Sequence, residues 1–247
     1  MPLSHFIKWI LFPGINLNLR LRYRLIPRYF GTASNREREV LEAGCGNGAL
    51  AYQCYLRGNR VLAVSIKDEI KRNRQLFNVE KGIPSEHLCF EQLNLYECGR
   101  LGRERFDEII CTEVLEHIGD DASVVRSFFQ LLKPGGTLHL CCPNAEHPYH
   151  RQYPLDSNET GGHVRSGYTV ETYRQLLAPL GFQLSPVVGV GGTWRHRVND
   201  CIRAVEEYGG KTAGVLAFVL LGGFACLDSS TPRVPFSLYV RAKKPQR

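Results

Sequence analysis

The chain has 247 residues, a net charge of +7 and a hydrophobic content of 43%. That length suits one α/β domain with additions, or a domain with a small appendage, and the apolar content suffices for a core. Nine cysteines include the adjacent pair Cys141-Cys142 and no C-x-x-C spacing. We therefore expect free thiols in a reducing cytoplasm, and neither disulfides nor a metal site. No small-residue cleavage site follows a short apolar core, so we predict no signal peptide.

Residues 1–36 are predicted to form a basic and aromatic helical arm ahead of a domain over 37–247. Basic residues alternate with large apolar ones before the first acidic residue, Glu37. This interleaving argues against a nucleic-acid partner, which favours basic residues arrayed on one polar face. The first apolar piece is too short to span a bilayer, which needs about 20 residues. We expect a helix that covers the active site, with an interfacial helix as the alternative.

A strand, a glycine turn and a helix are predicted over the run from Val40 to Leu56, which contains E-A-G-C-G-N-G. The spacing Gly44-x-Gly46-x-x-Ala49 fits the dinucleotide fingerprint. The carboxylate of Glu42, however, would repel a pyrophosphate and suits the cationic end of S-adenosylmethionine. Two cofactors therefore compete, and Glu42 favours S-adenosylmethionine.

Further buried strands are predicted over 60–66, 88–93 and 106–112, with an amphipathic helix over 121–132. The fourth strand runs into E-V-L-E-H-I at 113–118, and K-P-G-G at 133–136 precedes a fifth strand. A long insertion over 143–168, rich in His, Arg and Tyr, follows that strand. Long loops of this kind are usually functional or disordered, and the titratable residues favour function.

The order E-x-G-x-G-x-G, E-V-L-E-H and K-P-G-G closely resembles class I S-adenosylmethionine-dependent methyltransferases of the small-molecule, lipid or glycan type. The resemblance implies an enzyme on a doubly wound, seven-stranded, mostly parallel sheet whose last strand is antiparallel. It also implies cofactor-binding residues, which are Glu42, Gly44, Cys45, Gly46, Gly48, Ser65, Asn94, Leu95 and Thr112. The chain departs from the family at Ser65, where an acidic residue normally accepts bonds from the ribose hydroxyls. Asp68 is a candidate substitute, and Asn94 is a milder departure because the family often has aspartate there.

Methyl transfer to a hydroxyl needs a base, and histidine has the most suitable pKa. The candidate catalytic residues are therefore His117, His163 and His147. His150, Arg165 and Tyr168 are candidates for binding the acceptor.

The C-terminal part is predicted to contain a helix over 169–180 capped by Thr169, a flexible basic segment over 189–197, and a helix over 198–208. The uncharged run 212–227 falls short of a membrane span, so a buried helix or an interfacial hairpin is expected. A last strand over 235–242 completes the sheet.

The predicted function is methyl transfer to a small-molecule, lipid-linked or glycosylated acceptor, with oxygen as first choice of atom and carbon or nitrogen as second. Ser65 leaves open a non-methylating enzyme on the same fold. The two ends of the chain leave open a non-catalytic binding partner. The protein is expected in the cytoplasm, with peripheral membrane contact and the oligomeric state both open.

Overall fold

The computed structural model describes residues 14–33, 36–66, 68–229 and 231–246. These residues form two compact units. The small unit comprises the described residues up to Arg28 together with Gly189–Ser237, and the sheet unit comprises Tyr29–Val188 and Leu238–Arg247. The interfacial helix suggested for the start of the arm lies outside the described residues, and the boundary after residue 36 stays a prediction.

The sheet unit is built on a mostly parallel sheet with the strand order β3-β2-β1-β4-β5-β8-β6. Parallel pairs join β1 to β2 and β4, β2 to β3, and β4 to β5, whereas β6 and β8 are antiparallel. The predicted doubly wound class is thereby confirmed. The strands are β1 (Glu39–Ala43), β2 (Arg60–Ser65), β3 (Leu88–Gln92), β4 (Phe106–Thr112), β5 (Leu132–Pro143), β6 (Gln183–Leu184), a short β7 (Val188–Val190) and β8 (Ser237–Lys243).

Helices connect these strands in the way parallel pairing requires. The helix that follows β2 starts at Glu69 and changes to π geometry at Arg74, so it is not one regular helix. The α-helices of the sheet unit are α2 (Ala49–Tyr55), α3 (Glu69–Asn73, continued as a π-helix over Arg74–Glu80), α4 (Asp121–Leu131), α5 (Pro148–Arg151) and α6 (Val170–Leu177). Short 3-10 helices cover Leu95–Leu101, Leu115–His117 and Ala178–Leu180.

The core of the sheet unit lies between the central strands and helices α4 and α6. Strand β4 is buried along nearly its whole length, as expected of a central parallel strand covered on both faces. The K-P-G-G sequence makes a bulge inside β5, because Leu132 pairs with Phe106 while Thr137 pairs with Glu108. K-P-G-G was predicted to precede the fifth strand, but it lies inside it, because β5 already begins at Leu132.

The small unit contains helix α1 (Leu17–Leu25) and the long helix α7 (Thr193–Leu221), which continues as a 3-10 helix over Gly222–Leu227. Helix α7 is interrupted at Gly210, whose φ of 77° and ψ of 178° are not helical. The prediction of a flexible segment over 189–197 was wrong, because α7 already begins at Thr193.

The uncharged run 212–227 is buried on one face only. Ala217 and Ala225 pack with Leu17 and Ile202 in the core of the small unit. Large apolar side chains on the other face are exposed. By length and composition, Thr193–Leu227 includes a stretch apolar enough to cross a membrane, and 17% of that stretch is buried. The expectation of a buried helix is therefore only half fulfilled.

Candidate active site

The glycine turn after β1 is held against β2. The backbone N–H groups of Gly44 and Cys45 both donate to the carbonyl of Val64, at 2.8 and 2.9 Å. Gly44 has a φ of 80°, and a Cβ there would overlap the side chain of Val114. Gly48, at a φ of 73°, begins α2 and would place a Cβ 2.9 Å from the rings of Phe77 and Phe90. Both positions therefore require glycine.

Glu42 lies beneath this turn and is 2% exposed. Its Oε2 accepts a hydrogen bond from the backbone N–H of Ala51 at 2.9 Å, which ties β1 to the first turn of α2. Burial raises the pKa of the Glu42 carboxyl to about 8, although the bond from Ala51 opposes the shift. The side chain does not line the cavity described next, so its predicted contact with a cofactor stays a prediction.

A cavity of about 410 Å³ opens at the carboxyl ends of β1, β2, β3 and β4. Open α/β sheets bind their ligands at this edge. Six of the predicted site residues lie on its wall: Gly44, Gly46, Ser65, Asn94, Leu95 and His117. Three carboxylates also line it, from Glu69, Glu113 and Glu159. Among the described residues, no lysine or arginine does so.

The acidic wall decides between the two competing cofactors. A dinucleotide would bring a pyrophosphate next to three carboxylates with no cation to balance it. S-adenosylmethionine has no phosphate and carries a sulfonium and an ammonium, both of which carboxylates stabilise. The glycine cradle and the acidic lining therefore fit S-adenosylmethionine. Glu42, Cys45, Gly48 and Thr112 are not on the wall, and they support the turn and strands behind it.

Two of the cavity-lining glutamates have backbone angles that side chains rarely adopt. Glu113 has a φ of 54° and Glu159 a φ of 53°. Strain of this kind costs about 1–3 kcal/mol per residue and clusters at functional sites. The sequence prediction did not include Glu113 or Glu159 among the site residues, although Glu113 is the first residue of the E-V-L-E-H motif. That motif's position directly after a strand was the available signal.

Glu159 fastens the tip of the insertion onto the cavity wall. Its Oε1 accepts hydrogen bonds from the backbone N–H of Gly119 at 2.9 Å and from the Tyr96 hydroxyl at 3.0 Å. The loop around it is shaped by Asp156, which accepts bonds from Thr160 and Gly162. The insertion therefore completes the cavity.

His117 and His163 are brought together at the cavity edge. Their rings meet edge to face with centroids 4.8 Å apart. His117 Nδ1 lies 2.8 Å from the carbonyl of Gly162, which can only accept, so Nδ1 donates its N–H to that oxygen. Burial, followed by the charge of His117, lowers the pKa of His163 to about 4.

Together with Glu116, the two histidines form a set of donor atoms that could hold a metal ion. One ligand atom from each of Glu116, His117 and His163 lies within 4.8 Å of the others. Two imidazoles and a carboxylate are a common set for divalent transition metals. Sequence spacing gave no sign of it, because His163 is 46 positions from His117.

Two of the predicted acceptor-binding residues, Arg165 and Tyr168, hold the insertion in place. Arg165 pairs with Asp121 and donates to the carbonyls of Ile118 and Gly119, both at 2.8 Å. The Tyr168 hydroxyl also donates to Asp121, and burial raises the pKa of Tyr168. Both side chains are bonded to groups of the protein, and their role in binding an acceptor stays a prediction.

His147 and His150 are each 2% exposed and lie off the cavity wall. His147 caps α5, where its Nδ1 accepts from the backbone N–H of Tyr149 at 3.3 Å. His150 packs its ring against those of His147 and Tyr149. Neither histidine lines this cavity, so the catalytic role of His147 and the acceptor-binding role of His150 stay predictions.

The fold and this acid-lined cavity define a class I methyltransferase, and the comparisons agree. A family model described as a methyltransferase domain matches residues 16–187. The chain belongs to this family of enzymes, whose methyl donor is S-adenosylmethionine.

Particular relatives match over part of their length. An enzyme from Chromobacterium violaceum named ubiquinone biosynthesis O-methyltransferase is 37% identical over 118 residues, which are 47% of each chain. The chain thus spans about half the length of that curated relative. A solved S-adenosylmethionine dependent methyltransferase from Mesorhizobium loti has a TM-score of 0.59 at 17% identity, covering 92% of this chain and 99% of that one. The cyclase SpnF has a TM-score of 0.60 at 17% identity, covering 94% and 82%.

Proposed function

We propose that this enzyme methylates a hydroxyl oxygen of a small-molecule acceptor, of which a lipid-linked or glycosylated molecule is the preferred kind. The observation that carries the proposal is a histidine on the wall of the cavity that suits the donor, whose Nδ1 is held by the carbonyl of Gly162 so that Nε2 is the ring atom left for the acceptor. The name of the Chromobacterium relative, an O-methyltransferase, supports oxygen as the acceptor atom.

In this proposal, one group of residues binds the methyl donor and His117 removes the proton from the acceptor. S-adenosylmethionine supplies, when bound, an electrophilic methyl group on its sulfonium. The glycine turn and the carboxylates hold the donor, and the insertion tip closes the cavity above Tyr96 and Gly119. His117 accepts the acceptor's hydroxyl proton at Nε2 while Gly162 fixes the orientation of its ring. General-base catalysis of this kind typically contributes about 10²–10⁴-fold.

Metal-assisted removal of the same proton is the alternative favoured by the Glu116, His117 and His163 cluster. A divalent ion there would lower the pKa of a coordinated hydroxyl. Dialysis against a chelator, followed by return of Mg²⁺, Mn²⁺ or Zn²⁺, separates the two routes. Turnover that is unchanged by chelation supports the base, and turnover that is lost and restored supports the metal.

Transfer of labelled methyl is the test of the function. The full chain would be incubated with S-adenosylmethionine labelled in its methyl group and a panel of phenols and catechols with and without isoprenoid chains. We expect label in an ether of at least one phenol, identified by mass spectrometry. Label on carbon or nitrogen in an otherwise matched panel would contradict the oxygen assignment. Because the cyclase SpnF shares the fold, donor binding without any label in product would favour a non-methylating enzyme.

We further propose that the small unit attaches the protein to an anionic membrane surface. Its apolar stripe consists of Leu216, Val219, Leu220, Phe224 and Leu227 on one face of α7 and its continuation. These side chains are 59%, 69%, 73%, 53% and 67% exposed. Their spacing places them on one side of a helix. Trp194, itself exposed, donates its indole N–H to the carbonyl of Phe224, and tryptophan is typical of membrane interfaces.

The excess of basic side chains in the small unit favours an anionic bilayer as the surface that covers the apolar stripe. The described residues of the small unit include nine basic and four acidic side chains. Two of the basic ones touch the same helical segment. Arg20 lies 4.8 Å above the ring of Phe218, and Arg195 donates to the carbonyl of Ala225. An apolar face flanked by cations suits an interfacial helix on anionic lipid.

Replacing Leu216, Val219 and Leu220 together by glutamine is expected to weaken binding to phosphatidylglycerol-containing vesicles by about 100-fold, since each side chain would lose part of its apolar burial. Vesicle flotation measures the loss. A matched variant with Leu56, Val79 and Val170 changed to glutamine removes exposed apolar groups from the sheet unit and should float normally. Equal flotation of the two variants would contradict the proposal. So would a wild-type dimer that only the first variant disrupts.

A further inference from the structure

The strand that should supply the ribose-binding carboxylate ends instead in a serine. In βαβ units that bind an adenosine cofactor, an acidic residue ending the second strand accepts hydrogen bonds from the ribose hydroxyls. Here β2 ends at Ser65, which is on the cavity wall. A hydroxyl lacks the charge that roughly doubles the strength of such bonds.

A carboxylate nevertheless reaches the same place from the next element. Ser65 donates from its Oγ to Oε1 of Glu69 at 2.9 Å. Glu69 is the first residue of α3, and it lines the cavity together with Ser65 and Ile66. Within the described part of the chain, no group donates to the other carboxylate oxygen, Oε2.

Other acidic residues are less well placed for the ribose. Asp68 is exposed and does not line the cavity. Glu159 already accepts from Gly119 and Tyr96. Glu113 follows β4, which lies on the opposite side of β1 from β2. Among the acidic residues that the structure describes, Glu69 alone combines a position beside the end of β2 with an available oxygen.

We propose that Glu69 accepts the ribose hydroxyls of S-adenosylmethionine in place of the missing strand-end acid, and that Ser65 is the positioning residue that orients its carboxylate. The assignment rests on S-adenosylmethionine being the donor, and it does not depend on which acceptor is methylated. The accepting carboxylate thus belongs to the residue four positions after the end of β2, and it lies on the same part of the cavity wall as Ser65. A longer side chain, glutamate, covers the added distance from the helix.

Calorimetric titration with S-adenosylhomocysteine tests the proposal without any acceptor or turnover. Glu69→Gln should weaken binding by about 10- to 100-fold, because a hydrogen bond to a charged group is replaced by one to a neutral amide. Ser65→Ala should weaken it less, since only the orientation of the carboxylate is lost. Asp68→Asn, one position away and off the cavity wall, is the matched control and should bind like the wild type.

The 2′,3′-dideoxy analogue of S-adenosylhomocysteine identifies the group that Glu69 contacts. Wild type and Glu69→Gln should bind this analogue equally, because the partner hydroxyls are absent. Moving the carboxylate back, by Ser65→Asp in the Glu69→Gln background, should recover most of the affinity for S-adenosylhomocysteine. Ser65→Asp alone should give no gain, because two carboxylates then repel each other.

Three results would overturn the proposal: equal binding of S-adenosylhomocysteine by wild type and Glu69→Gln, an equal loss for the dideoxy analogue, or a double variant with no recovery. Because these measurements use no acceptor, failure of methyl transfer to a hydroxyl would leave them unaffected. Unfolding midpoints of the variants show whether a loss comes from a damaged fold.

Discussion

His117→Asn is expected to lower kcat by about 10²- to 10⁴-fold, the usual contribution of a general base. Asparagine keeps an N–H group that can donate to the carbonyl of Gly162, so the turn retains its bond. It has no counterpart of Nε2, so no group at this position removes the acceptor's proton. Single-turnover transfer of labelled methyl measures the chemical step directly.

Donor binding separates a chemical defect at His117 from a damaged cavity. The variant should bind S-adenosylhomocysteine as the wild type does, because the glycine turn and Glu69 are untouched. His87→Asn, on the exposed surface away from the cavity, is the matched control and should keep full turnover. Normal single-turnover rates in His117→Asn would exclude this histidine both as base and as a required metal ligand.

Glu42→Gln is expected to remove a large pH dependence of stability. The folded carboxyl keeps its proton up to about pH 8, whereas the unfolded one releases it near pH 4.5. Between these values the folded state binds more protons, so the free energy of unfolding falls as the pH rises. The fall attributable to this residue is about 3–5 kcal/mol over the window. Glutamine does not titrate and can still accept from Ala51.

Urea unfolding at pH 5, 6.5 and 8 measures this slope. The difference in stability between Glu42→Gln and the wild type should shift in favour of the variant as the pH increases. Glu86→Gln, at an exposed position, should follow the wild type at every pH. A constant difference for Glu42→Gln would show that the Glu42 carboxyl is ionised in the folded protein. Because the comparison uses the change of the free energy of unfolding with pH, a constant destabilisation caused by the substitution does not affect the result.

Local patterns in the sequence predicted the sheet and the glycine turn well. Residues 106–112 form β4 as predicted, and its apolar residues Phe106, Ile109, Ile110 and Cys111 are fully buried, as expected of a central parallel strand. Thr169 caps α6 as expected, with Thr172 closing a reciprocal pair of bonds. The turn at Gly44 to Gly48 was predictable because its positive φ values leave glycine as the suitable residue.

Contacts between distant positions were not predictable in the same way. Arg165 reaches Asp121 across 44 positions, and Glu159 reaches Tyr96 across 63. Residue type suggested that Arg165 and Tyr168 bind an acceptor, but nothing local to them revealed Asp121 as a partner. The sequence identified Ser65 as a departure from the family and offered Asp68 as a candidate substitute. It did not identify Glu69, because the bond from Ser65 to Glu69 depends on where α3 begins.

The insertion after β5 begins and ends at neighbouring points. Asn144 and Tyr168 form a β-bridge, and the backbone N–H of Tyr168 donates to the carbonyl of Pro143 at 2.8 Å. A segment anchored in this way is a replaceable cassette. Exchanging residues 145–167 for the corresponding loop of another family member would leave every strand in place, but it would remove Glu159 from the cavity wall and the Gly162 carbonyl from His117. We therefore expect a change of loop to alter donor binding and the orientation of His117 together, so the insertion couples the two halves of the reaction.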